Sequence, residues 1–346
     1  MTSPLPGLTT VAAIFSCCAM SSAAEDLASI PDPIGFASPF AGILSGELAV
    51  AGGANFPGKM PWEGGEKVWH NRIYALSSPE SQWTLKGHLS KPLAYGCSFP
   101  VEDGILCVGG SDPSRHHSRC FLLSLKNGAP LETEWPSLPL PLANASGVRI
   151  GRYAYVIGGH SAPDKPPLAS VLLIDIEKPD VGWKSLPPFP GPGRILAAVG
   201  HHEGHLYVAG GTDLTFIAGA SKRVPLRDAY RFHPDTGWER LPDLPGPRIA
   251  APVPMTETPC GPIIAGGDDA TQMNSTPDQH RGFLKETLRF DPSTHCWKSG
   301  PKLSIGMVTA ASVAWRGLHV IPGGEIRPGV RTPRVMVIPP HPEPSR

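Results

Sequence analysis

The sequence predicts an all-β fold, a six-bladed β-propeller, and three observations carry the prediction. Six Gly-Gly doublets recur along the chain, each closing a short apolar run. A second apolar run follows each doublet. In five of the six units a tryptophan and a Leu-Pro-rich corner come next.

The doublets stand at Gly52-Gly53, Gly109-Gly110, Gly158-Gly159, Gly210-Gly211, Gly266-Gly267 and Gly323-Gly324, at intervals of 57, 49, 52, 56 and 57 residues. A fixed period near 50 marks a repeat architecture. Runs such as ELAVAGG, GILCVGG and HLYVAGG read as one strand per unit, and RIYAL, VLLIDI, TLRFDP and RVMVIPP as the next. The segments of Trp83, Trp135, Trp183, Trp238 and Trp297, and the small apolar run after each corner, complete four strands per unit. The glycines suit positive φ or close backbone approach where a strand leaves the crowded centre, and the tryptophans suit the wedge between blades. Period, doublet and tryptophan together resemble kelch repeats, so the expectation is a kelch-type propeller over residues 27–338. The last unit lacks a tryptophan and corner after RVMVIPP, whereas SIPDPIGFASPFAG near the N-terminus reads as the missing strand and corner. The N-terminal strand is therefore expected to close the last blade and remove the open edges.

Composition narrows the function classes. Pro 42 and Gly 39 are high, but 40% apolar residues in regular runs point to many turns between strands, not to disorder. Lys+Arg and Asp+Glu are 30 each, so no net field favours nucleic acid or an anionic membrane. Residues 7–24, GLTTVAAIFSCCAMSSAA, read as the apolar part of a secretory signal, with small residues before Glu25. The domain reading is a signal peptide over 1–24 and a single propeller over 25–346, placed in the periplasm or secreted. No later run reaches the 18 apolar residues of a membrane span. Cys97, Cys107, Cys120, Cys260 and Cys296 show no metal-type spacing, and Cys97 with Cys107 is a candidate cross-strand disulfide. His201-His202-Glu203-Gly204-His205 falls on a strand turn of the opposite face and reads as a solvated turn, not a metal site.

In such a propeller the residues after each doublet and those that begin each innermost strand ring the axis on one face. The first set is Asn55, Ser111, His160, Thr212, Asp268 and Glu325, and the second is Tyr95, Asn144, Arg194, Arg248 and Met307. Carboxylate, guanidinium, amide and imidazole converging on one mouth suit a small polar anion. Long loops at 54–69, 212–227 and 268–286 read as lids or binding walls, and Trp62 in the first is a candidate for gripping a sugar ring.

Two segments, GGANFPGKMPWEGGEKVWHNRIYAL and GGEIRPGVRTPRV, resemble the kelch-class sialic acid mutarotases (N-acetylneuraminate epimerases), in a cyclically permuted arrangement. The element like GEIRPGVRT ends this chain, and the one like AGGANF begins it. The resemblance implies that Glu325 is the proton acceptor and that Arg331 and Arg194 are pocket arginines. Leu93 stands where the family motif like RAYG has arginine, and Pro333 where an acid is expected after RT. The implied substrate is a small acidic sugar, and no cofactor or metal is called for. Exchanging the anomers of a cyclic hemiketal takes a base at the anomeric hydroxyl and an acid at the ring oxygen. Glu325 suits the first role, Tyr95 and His160 are candidates for the second, and Arg331 and Arg194 can fork onto a carboxylate. Asn55, Tyr95, Arg248 and Trp62 complete the expected substrate contacts. A non-catalytic kelch binding module for carbohydrate or protein is the alternative, and sialidase-like hydrolysis would need a second carboxylate such as Asp268.

Overall fold

Short apolar runs punctuated by glycine and proline can pair only with near neighbours, and they do so as antiparallel four-stranded blades. The structure, a computed structural model, describes residues 26–102, 104–217 and 220–341. The leader read at 1–24 lies outside them.

Counted from the axis outward, blade 1 is Phe40–Leu44, Glu47–Ala51, Arg72–Leu76 and Thr84–His88. Blade 2 is Cys97–Val101, Gly104–Val108, Cys120–Lys126 and Ala129–Trp135. Blade 3 is Ser146–Ile150, Tyr153–Ile157, Val171–Asp175 and Lys184–Leu186, and blade 4 is Ala198–His202, His205–Ala209, Ala229–His233 and Gly237–Leu241. Blade 5 keeps three regular strands, Ile263–Ala265, Glu286–Asp291 and Cys296–Lys302. Its inner segment carries Pro252 and Pro254, which have no N–H to give a ladder; it holds to its own blade through a single bridge from Thr256 to Ile263 and to the start of blade 6 through one from Val253 to Ala311. Blade 6 is Val313–Trp315, Leu318–Arg327 and Val330–Val337.

The N-terminal segment closes this last blade. Leu27 bridges Val335, and the Leu27 and Ile30 N–H groups donate to the Val335 and Pro333 carbonyls, each at 2.9 Å. The tryptophans show the same closure from outside. Trp183, Trp238 and Trp297 donate their indole N–H to Pro136, Pro187 and Pro242 in the corner of the preceding blade, and Trp83 donates to Ala28. Ala28 thus serves as the corner of blade 6. Ile30 and Phe36 share one apolar cluster with Leu48, Tyr74 and Trp83 of blade 1 and Val313, Trp315 and Val335 of blade 6.

Each doublet is a stitch between blades. All twelve glycines have positive φ. The first N–H of a doublet bonds its own third strand, as Gly158 to Ser170, and the second bonds the next blade, as Gly159 to Arg194. A Cβ on Gly158 would stand 2.3 Å from the Arg194 carbonyl oxygen, so glycine is required there.

A closed ring of backbone hydrogen bonds encircles the axis. Ser38, Tyr95, Asn144, Leu196, Ala250 and Thr309, one per blade, all lie in the left-handed region, with φ between 46° and 63°. Each donates its N–H to the preceding member, and Ser38 donates to Thr309, over 2.7–3.1 Å. Below the ring runs a channel of about 290 Å³ lined by small residues such as Ala41, Gly42, Gly147 and Ala310. Above it lies the larger cavity.

Cys97 and Cys107 are buried free thiols, so the candidate disulfide is not formed. In the strand register Cys97 opposes Val108 and Cys107 opposes Ser98, so alternation sends the two thiols to opposite faces of the sheet. His201–His205 forms the turn between the first two strands of blade 4, with Glu203 and Gly204 both at positive φ.

Candidate active site

The cavity above the ring has a volume of about 560 Å³, within the range of small-molecule sites. On its rim the residue immediately after each doublet bridges the segment that leads into the innermost strand of its own blade. These residues are Ala54, Ser111, His160, Thr212, Asp268 and Glu325. Glu325, His160, Asp268 and Ser111 line the cavity, with Tyr95, Asn144, Leu196, Ala250 and Thr309 of the ring.

Glu325 sits on the last hairpin, directly opposite Arg331, with Pro328 and Gly329 making the turn. The register shifts on either side of Glu325, between Pro322 and Gly324 and between Glu325 and Arg327. Bulges of this kind re-aim a side chain beside a site. Arg331 Nη1 reaches Glu325 Oε2 at 2.9 Å, and the Gly329 N–H donates to Oε1 at 2.9 Å. Arg331 is nearly buried, and its guanidinium lies 4.9 Å from the Phe56 ring centroid. Both carboxylate oxygens are oriented, and each keeps a lone pair for a proton.

The wall that carries His160 mixes neutral and charged groups. Asn144 Nδ2 and His160 Nε2 are 3.0 Å apart, and the His116 ring packs tilted against His160 with ring centroids 4.7 Å apart. Burial and the neighbouring His116 push the His160 imidazole down to about 4. Burial lowers His116 as well. Asp112, on the loop before His116, is held low by hydrogen bonds from Ser114, Arg115 and His117 that outweigh its burial. Asp268 Oδ1 accepts the Ala270 N–H, which leaves it partly engaged in its own turn.

Of the expected contacts, Glu325, Arg331 and Tyr95 meet in the cavity, and four residues do not. Arg194 is fully buried between blades, forks onto Asp228 at 2.9 and 2.6 Å, and donates to the Gly210 carbonyl. Arg248 makes the matching bond to the Gly266 carbonyl in the next blade. The second doublet glycine bonds the carbonyls of Leu93, Leu142, Arg194, Arg248 and Met307 in turn, so these are equivalent positions in the repeat. That position lies two residues before the ring member, away from the cavity. Leu93 is therefore core, packed with Phe40 and Leu89, and its departure from the family motif removes no cavity group. Asn55 is one residue past the rim position held by Ala54, and strand alternation turns it inward to Gly35 and His70. Trp62 stays outside the cavity, packing with Pro61 on Gly329 at the tip of the Glu325 hairpin.

Several lining residues escaped the sequence reading as contacts: Phe56, Lys67 and Trp69 of the first long loop, Arg115 and His116 of blade 2, and Arg223 of the hairpin Thr212–Ile217/Ala220–Pro225. The signal available for the first and last was loop length. The loop of blade 2 is short and gave none.

Residues 22–129 match the family model described as N-acetylneuraminate epimerase. The chain is similar to the N-acetylneuraminate epimerase of Yersinia enterocolitica, 25% identical over 227 residues, 58% of this chain and 56% of that protein. It is similar to that of Haemophilus influenzae, 28% identical over 224 residues, 57% of each. The chain thus spans just over half the length of the curated relatives it matches. The solved structure of YjhT superposes with a TM-score of 0.65 at 16% identity, covering 90% of this chain and 96% of that one. The chain is a six-bladed β-propeller that shares the fold of YjhT and is similar in sequence to the N-acetylneuraminate epimerases.

Proposed function

We propose that the chain is a mutarotase that interconverts the anomers of N-acetylneuraminic acid, or of a similar acidic sugar, by acid–base ring opening. One observation carries the reading: a carboxylate, Glu325, oriented on both oxygens by Arg331 and the Gly329 N–H at the wall of a sugar-sized cavity. Glu325 takes the anomeric hydroxyl proton as the bond from the anomeric carbon to the ring oxygen breaks, and a cavity donor protonates that oxygen. Tyr95 and His160 line the wall as candidates for the second task. Rotation about the opened chain and closure on the other face reverse both transfers. No group is consumed, and the chemistry asks for no metal or cofactor. The sequence similarity to N-acetylneuraminate epimerases supports the choice of sugar. The leader read at 1–24 would place the activity in the periplasm or outside the cell. The test is anomer exchange followed by proton NMR after α-sialoside hydrolysis, with and without the protein. Binding without exchange would favour a non-catalytic carbohydrate module.

A further inference from the structure

Resting on that reading, we propose that Lys67 receives the carboxylate of the substrate, and that the aromatic side chains around it hold it for the purpose.

Four cationic side chains line the cavity: Lys67, Arg115, Arg223 and Arg331. Arg331 is already engaged. Its Nη1 is bonded to Glu325 and its guanidinium is buried against Phe56. A substrate carboxylate on the same fork would compete with the base for its partner and crowd two like charges together. Arg194, the other arginine that the family resemblance implies, is committed to Asp228 behind the wall.

Lys67 is differently placed. Its Nζ lies 5.1 Å from the Tyr95 ring centroid, 5.4 Å from Trp69 and 6.0 Å from Phe56. Among the described residues it has no carboxylate partner and no hydrogen bond. Three π-faces attract an ammonium without neutralising it, so its charge and donors stay available to a ligand.

Position distinguishes Lys67 from Arg115 and Arg223. Phe56 carries Arg331 and Lys67 together, so the ammonium and the Glu325 base lie around one aromatic ring. A 2-keto acid sugar in its cyclic form bears carboxylate and anomeric hydroxyl on the same carbon. A receptor for the first must then stand beside the base for the second, and Lys67 is the cation that does. Arg115 and Arg223 rise from blades 2 and 4. The class of substrate follows: a cyclic sugar with a carboxylate on its anomeric carbon.

The test is titration calorimetry of N-acetylneuraminic acid and its methyl ester against the wild type, Lys67→Met and Lys67→Arg. Methionine keeps the apolar stem at an exposed site. The expected result is that the wild type binds the acid more tightly than the ester, and that Lys67→Met weakens the acid by about 10- to 100-fold, as for loss of a charged hydrogen bond. The ester should be unchanged, and Lys67→Arg should retain much of the preference. Equal binding of acid by wild type and Lys67→Met, or no preference for acid over ester in the wild type, overturns the assignment. Anomer exchange on the same samples separates the two claims. A wild type that binds the acid through Lys67 but does not speed exchange refutes the mutarotase reading and leaves Lys67 as the receptor. A wild type that binds neither ligand refutes both.

Discussion

Glu325 and Arg331 are register partners across the final hairpin, and their side chains meet at 2.9 Å on the cavity wall. The contact is local, closed by a turn at Pro328 and Gly329, but the hairpin depends on the far end of the chain. Phe36 accepts the Gly324 N–H, and Ile30 donates to Pro333. Closing the ring and presenting the carboxylate are therefore one structural event.

Gly35 is the sharpest probe of that coupling. It has φ +79°, and a Cβ there would stand 2.1 Å from the Thr332 backbone, one residue past Arg331. Gly35→Ala is expected to cost roughly 2 kcal/mol or more through strain and overpacking, and to lower kcat because the hairpin shifts with it. Urea unfolding and anomer-exchange rates on the same variant check both effects. A loss of stability with unchanged kcat would separate closure from the site.

Arg194 is predicted to matter for stability and not for substrate. Arg194→Met leaves Asp228 without its buried partner and removes the bond to Gly210, a loss of about 3–5 kcal/mol. KM measured at a temperature where the variant stays folded should equal that of the wild type. A raised KM with unchanged melting temperature would return Arg194 to the cavity.

His160 sets a pH dependence. The unfolded imidazole titrates near 6.5, while the folded one is down at about 4. Between those values the unfolded chain takes up a proton that the folded chain refuses, so stability falls as pH drops through this window and gains nothing above it. At 1.36 kcal/mol per pH unit the contribution is about 2–3 kcal/mol between pH 7.5 and 4.5. Denaturant unfolding at the two values should show that much less acid loss in His160→Gln than in the wild type. Equal losses would contradict the burial argument.

The fold was legible because its signals are obligatory. Twelve glycines at positive φ and indoles donating to the preceding corner recur in order, and the missing outer strand of the last unit pointed to the N-terminus. The site was legible at residues that directly follow a doublet, such as Glu325, His160 and Asp268, at Tyr95 and Asn144 among the residues that begin an innermost strand, and at Arg331 through the family resemblance. Register hid the rest. Leu196 and Ala250 occupy the ring, yet nothing in their chemistry announces a left-handed conformation, so the conspicuous Arg194 and Arg248 two residues earlier drew the assignment. Asn55 went astray by a single residue, enough to exchange the faces of a strand. Lys67 was invisible as a receptor because its aromatic surroundings come from two loops that sequence does not bring together.

The most direct measurement is proton NMR of sialic acid anomers immediately after a sialidase releases the α form, with wild-type protein and with Glu325→Gln. The amide preserves shape and cannot take the proton, so the account predicts acceleration by the wild type and a loss of about 10²-fold or more in the variant at a temperature where both are folded. Equal acceleration by both proteins would remove Glu325 as the base, and no acceleration by the wild type would contradict the mutarotase reading itself.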